Sequence, residues 1–163
     1  MSNVSRFFIV MMVLGGHHFP QVHAESLCVD HETIFFNCKL HSKTASLCKS
    51  KSEDVVTYRF GDKSRIDLEI SDADVRQRKI FYFSSTSYAG GGEAHIRFSR
   101  ARYTYYLYDK TVKTDGGYDF SAGIVVFRGR VKIADHICTN VGSIRGSAYV
   151  EMTREKYSDI SGK

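Results

Sequence analysis

Apolar and polar residues alternate along most of this chain. Ile66, Leu68 and Ile70 are interleaved with Arg65, Asp67 and Glu69, a period of two that marks a strand with one covered face. Other segments are rich in Val, Ile, Tyr and Phe, residues suited to a pleated, half-buried surface. They are Ile34–Lys39, Thr44–Lys49, Val55–Phe60, Lys79–Ser84, Ala94–Ser99, Arg102–Asp109, Ala122–Arg128 and Arg130–Ile137. Turn residues punctuate them: Gly61-Asp62, Gly90-Gly91-Gly92, Asp115-Gly116-Gly117 and Gly129. Eight or nine strands at intervals of roughly 12 residues predict an all-β fold, an antiparallel sandwich or barrel. After Gly146, the mixture of Tyr149, Val150, Met152, Tyr157 and Ile160 with charged residues fits either a short C-terminal helix or a frayed tail.

The N-terminal pattern is different. Arg6 precedes a ten-residue apolar run, Phe7–Gly16, and Val22-His23-Ala24 follows. A charged start, an apolar centre and small residues at the −3 and −1 positions predict a secretory signal cleaved after Ala24. Residues 25–163 then form a single all-β domain, and the expected location is periplasmic or secreted. No apolar run reaches eighteen residues, so no membrane span is expected. The chain of 163 residues carries 23 Lys+Arg against 18 Asp+Glu, a formal +5. Those charges are interleaved and not blocked, so they do not point to nucleic acid.

Export changes the meaning of the four cysteines, Cys28, Cys38, Cys48 and Cys138. An even count in an oxidising compartment predicts two disulfides, for which three pairings exist. Ile34–Lys39 and Thr44–Lys49 read as adjacent antiparallel strands, which brings Cα atoms within bridging distance. The expected pairs are therefore Cys38–Cys48 and Cys28–Cys138.

Chemistry is sparse. The nucleophile elbow, the zincin motif, the phosphate-binding loop and the dinucleotide fingerprint do not occur, and no catalytic residue, metal or cofactor is expected. His31, His41, His95 and His136 have no second histidine at metal-ligand spacing. Asp30-His31-Glu32 reads as a solvated segment and His95 as a surface histidine. Two stretches stand out. In Tyr103-Thr104-Tyr105-Tyr106-Leu107-Tyr108, Tyr103 and Tyr105 share one strand face with Leu107, and Tyr106 and Tyr108 share the other. Exposed tyrosines beside arginines suit protein interfaces; a cross-strand aromatic ladder is the structural alternative. Ser99-Arg100-Ala101-Arg102-Tyr103 presents two hydroxyls and two guanidiniums at a strand junction, a set matched to carboxylates. The junction lacks the Gly, Asn or Asp of a two-residue hairpin, which predicts a longer connection or a bulge. Candidate partner-binding residues are Ser99, Arg100, Arg102, Tyr103 and Tyr105.

The Ser99–Tyr103 stretch resembles the Ser-Gly-x-x-Tyr loop of bacterial lysozyme inhibitors, which are small, exported, disulfide-containing all-β proteins. The resemblance implies a plug for the active-site cleft of a peptidoglycan-cleaving enzyme, with Ser99 and Tyr103 facing the enzyme's catalytic carboxylates. Arg100 stands where that motif has glycine. The loops Tyr88–Glu93 and Lys113–Asp119 are the expected rim of such a plug. Phe36-Asn37-Cys38, Ser46-Leu47-Cys48, Tyr58-Arg59-Phe60-Gly61, the glycines before Ala94–Phe98 and the late Cys138 also resemble exported bacterial proteins of unassigned function. The expected partner is a peptidoglycan hydrolase or a toxin protein, and a homodimer through a sheet edge is compatible with the pattern. Alternatives are an immunity protein against a cell-wall toxin, a carbohydrate-binding module whose tyrosines stack on sugars, and a hydrolase with an unrecognised site.

Overall fold

The computed structural model describes residues 26–74, 79–140 and 142–162; the leader expected over 1–24 lies outside them. Ten strands follow in order: β1 (Glu32–Leu40), β2 (Lys43–Ser50), β3 (Val56–Gly61), β4 (Ile66–Ser71), β5 (Tyr82–Tyr88), β6 (Gly91–Arg100), β7 (Tyr103–Thr114), β8 (Gly117–Arg128), β9 (Val131–Ile137) and β10 (Thr153–Arg154). Among the described residues one α-helix, α1 (Gly146–Glu151), separates β9 from β10, and a 3-10 turn, Asp72–Asp74, follows β4. The strands form two sheets, β1-β2-β3-β4 and β10-β5-β6-β7-β8-β9. They face each other as a sandwich and do not close into a barrel. Each sheet is an antiparallel meander, except that β10 runs parallel to β5.

The alternation seen in the sequence sets the faces. Phe98, Ile96 and Ala94 of β6, Leu107 of β7 and Ile124 and Ala122 of β8 point inward, where they meet Phe36, Leu47 and Tyr58 of the smaller sheet. Tyr58 lies 4.7 Å from Phe98, Tyr105 stacks on Phe98 at 5.0 Å, and the two tyrosine rings are 6.3 Å apart. A bulge at Phe35, between Ile34 and Phe36, lets two consecutive phenylalanines both be fully buried. A buried polar chain is satisfied: Leu27 N–H donates to Ser46 Oγ (2.9 Å), which donates to Asn37 Oδ1 (2.7 Å).

The disulfides are Cys28–Cys48 and Cys38–Cys138, which corrects the expected Cys38–Cys48 and Cys28–Cys138. The register gives the reason. Cys38 stands opposite Ala45, and Cys48 stands opposite Ile34, three positions further along β2. At about 3.3 Å per residue that separates the two cysteines by about 10 Å, too far to bridge. Adjacency of the strands was right; the offset along them was not. Two disulfides fit an oxidising, exported compartment, and among the described residues no helix is long and apolar enough to cross a membrane.

The short C-terminal helix is present, and the residues after it are not a frayed tail. Helix α1 has six residues and buries Ala148. The chain then pairs with the edge strand β5 through Thr153 and Arg154 and turns around that edge. Residues 155–162 lie across the outer face of the larger sheet as a strap. Glu155 forms a bidentate ion pair with Arg97 at 2.6–2.9 Å, and Ile160 is buried against Tyr108 and Val125.

The Cys38–Cys138 bridge spans 100 residues and Cys28–Cys48 spans 20. On loop-closure entropy the first contributes about 4–5 kcal/mol and the second about 3 kcal/mol. Guanidinium unfolding of the Cys38→Ala/Cys138→Ala and Cys28→Ala/Cys48→Ala variants should therefore show the larger loss for the former; equal losses would refute this ordering.

Candidate functional site

The Ser99–Tyr103 stretch is the tip of the β6–β7 hairpin. Arg100 pairs with Tyr103, so the connection is a two-residue turn, Ala101-Arg102, and not the longer loop or bulge expected. The left-handed backbone this needs falls on Ala101 (φ 52°), not on Arg100, which stays in the ladder. Ser99, Arg100 and Arg102 are exposed and Tyr103 is half-buried.

The register separates the two hydroxyls. Ser99 pairs with Thr104 on the outer face, where their hydroxyls lie 3.1 Å apart. Arg100 and Tyr103 share the inner face. Ser99 and Tyr103 thus flank the turn from opposite sides of the sheet and do not converge on one point. Tyr105 is half-buried with its ring on Phe98, so most of that side chain belongs to the core. Arg100 Nη1 donates to the Glu69 carbonyl of β4 at 3.3 Å, tying the tip to the smaller sheet.

The meander brings in residues that the sequence reading did not single out. Alternate turns of a meander lie at the same end of the sheet, so the β8–β9 turn sits beside the β6–β7 turn. Gly129 N–H donates to the Arg102 carbonyl at 3.2 Å. Arg128 and Arg130 on that second turn are exposed. Arg100, Arg102, Arg128 and Arg130 have no carboxylate partner among the described residues, whereas Arg97 and Arg59 are ion-paired. Four guanidiniums therefore crowd one end of the sheet. A groove of about 590 Å³ continues from it along the strap, lined by Thr104, Tyr106, Phe127 and Arg130 among others. The Arg-Gly-Arg spacing was the available signal, and it needed the turn parity to be meaningful. The same parity places Tyr88–Glu93 and Lys113–Asp119 at the opposite end, so those loops do not rim the tip.

His95 also departs from expectation. It faces outward, as its alternation required, yet it is fully buried because the strap covers it: Tyr157 stacks on its ring at 4.9 Å. Its Nε2–H donates to Glu93 Oε1 at 2.6 Å; a carboxylate only accepts, so this fixes the tautomer. Nδ1 is buried without a partner. Lys110 reaches the other oxygen of Glu93 at 3.5 Å. Glu32, expected in solvent, instead holds Arg59 through two hydrogen bonds of 2.6 and 3.0 Å.

Comparison with protein families, with curated proteins and with solved structures finds no match for this chain.

Burial holds the His95 imidazole below the ordinary histidine value, against the pull of Glu93 and Asp159 and with Lys110 opposing the charge. The folded protein thus binds this proton less readily than the unfolded chain does. The contribution of His95 is complete above about pH 6.5 and is lost as pH falls from there toward the folded-state pKa. Urea unfolding between pH 7.5 and 5 should show stability falling with acid, with a shallower slope for His95→Gln; the same slope in both proteins would exclude His95 as the cause.

Proposed function

We propose that this protein is a periplasmic inhibitor whose arginine-bearing tip enters the carboxylate-lined cleft of a peptidoglycan-cleaving hydrolase of lysozyme type. The observation that carries the reading is the clustering of Arg100, Arg102, Arg128 and Arg130, without acid partners among the described residues, on two adjoining turns at one end of a disulfide-linked sandwich. Glycosidases flank the scissile bond with two carboxyl groups. Guanidinium groups bind carboxylates bidentately, and an occupied cleft excludes the sugar. The act needs no chemistry of the protein's own.

The arrangement shifts the weight of the proposal from hydroxyls to guanidiniums. Ser99 and Tyr103 lie on opposite sides of the turn and contact different walls of any cleft, while the arginines carry the electrostatic match. Charge complementarity of this exposed kind speeds encounter and is screened by salt.

Inhibition of a lysozyme panel, read by turbidity loss of bacterial cell walls, tests the reading; a cell-wall-cleaving toxin added to the panel distinguishes an immunity protein. Replacing Arg100, Arg102, Arg128 and Arg130 together by alanine should weaken inhibition by about tenfold or more, and added salt should weaken the native protein in the same direction. A folded quadruple variant that inhibits like the native protein would remove the tip from the mechanism.

A further inference from the structure

Strands β7 and β8 have twelve residues each, whereas the facing sheet has strands of six to nine. The longer pair overhangs. Past Ala122, which still packs in the core, the inner face continues through the opposed pairs Thr111–Phe120 and Lys113–Tyr118, where it opens to solvent. Phe120 and Tyr118 are 71% and 58% exposed, although they occupy the face that is core at the other end. Beside them lies a trough of about 220 Å³. Its floor is made of small residues, Ser85, Ser87, Gly92 and Ala94, with Asp109 and Thr111 on one side and Tyr149 on the other. Tyr149 is fixed there by its contact with the Phe83 ring, 4.5 Å between centroids.

We propose that this trough binds a neutral sugar residue, with Phe120 as a stacking platform and Asp109 as the acceptor for a pair of ligand hydroxyls. Asp109 is half-buried and has no cation partner among the described residues. One oxygen, Oδ2, accepts the Ile144 N–H at 3.1 Å, which orients the carboxyl and leaves Oδ1 for a ligand. Hydroxyl donors to a carboxylate form short, charge-assisted bonds, and Ser85, Ser87 and Thr111 add groups that both donate and accept. An anion would be repelled by Asp109. The volume lies below the roughly 300 Å³ at which pockets for drug-sized ligands begin, which suits one ring of an oligosaccharide whose remainder stays in solvent. The aromatic contact is with Phe120 and Tyr149, not with the Tyr103–Tyr108 stretch, in which Tyr103 sits at the tip, Tyr105 packs on the core and Tyr106 and Tyr108 lie under the strap.

The trough is independent of the inhibitor reading. Asp109 is six residues along β7 from Tyr103, about 20 Å from the tip. The test is an amide NMR titration of the oxidised protein with neutral tetrasaccharides of β-1,4-linked N-acetylglucosamine, β-1,4-linked glucose and α-1,4-linked glucose, each up to about 10 mM. We expect saturable shifts from at least one of them, confined to 109–113, 118–122 and Tyr149. Phe120→Ala, an exposed site that leaves the fold intact, should weaken binding about fivefold or more, as should Asp109→Asn, which keeps an acceptor for Ile144. Arg102→Ala should bind as the native protein does. Absence of saturable shifts with all three sugars would overturn the site. So would shifts centred on Arg102, or binding unchanged by both trough variants, or occupation of the trough by a choline probe while every sugar fails.

Discussion

The Cys38–Cys138 bridge sets how the two sheets sit. Cys38 is a fully buried position on β1, at one edge of the smaller sheet. Cys138 directly follows β9, the edge of the larger one. The seam beside the bridge is reinforced: the Thr139 N–H and hydroxyl both donate to the Lys39 carbonyl, and the Lys39 N–H donates to Asn140 Oδ1. With that seam fixed, the smaller sheet covers the tip half of the larger one and not its far half. The buried phenylalanines, the tethered arginine tip and the uncovered overhang all follow from that offset.

The second constraint is the path of the C-terminal residues. Small helix α1 plugs one side of the core with Ala148, β10 closes the β5 edge, and the strap covers the opposite face. An uncovered β5 edge would present unpaired backbone groups to other chains; pairing with β10 satisfies part of it. The strap also explains why His95 tolerates burial. A neutral imidazole with one short bond to Glu93 needs far less from its surroundings than an imidazolium would, and Nδ1 has no acceptor for a second proton.

Much of the fold was legible because alternation survives in most strands. The two-face reading of Tyr103–Tyr108 holds: Tyr105 joins the core, and Tyr106 and Tyr108 face the strap. The errors share one source, namely distances that local pattern does not encode. Periodicity assigned His95 to the outer face but carried no information that residues sixty positions later would cover it. The cysteine pairing depended on the stagger between β1 and β2, which the bulge at Phe35 and the His41-Ser42 turn together determine. Arg128 and Arg130 were visible as residues, but their union with Arg100 and Arg102 is a property of turn parity in a meander of known strand number.

Ala101 connects these levels. A left-handed backbone at a residue with a Cβ costs about 1 kcal/mol or more relative to glycine, and such a conformation persists only where its neighbours over-determine it. Three contacts do so here: the Arg100–Tyr103 ladder pair, the Gly129–Arg102 hydrogen bond to the adjoining turn, and the reach of Arg100 to the Glu69 carbonyl. A turn fixed in this way has little conformational freedom left to lose on docking, and lost freedom is one of the main costs of association. Glycine at position 101 would relieve the strain and enlarge the unfolded ensemble, whereas alanine keeps the arginines in register. The strain at the tip thus holds Arg100 and Arg102 in a fixed array before any partner is met.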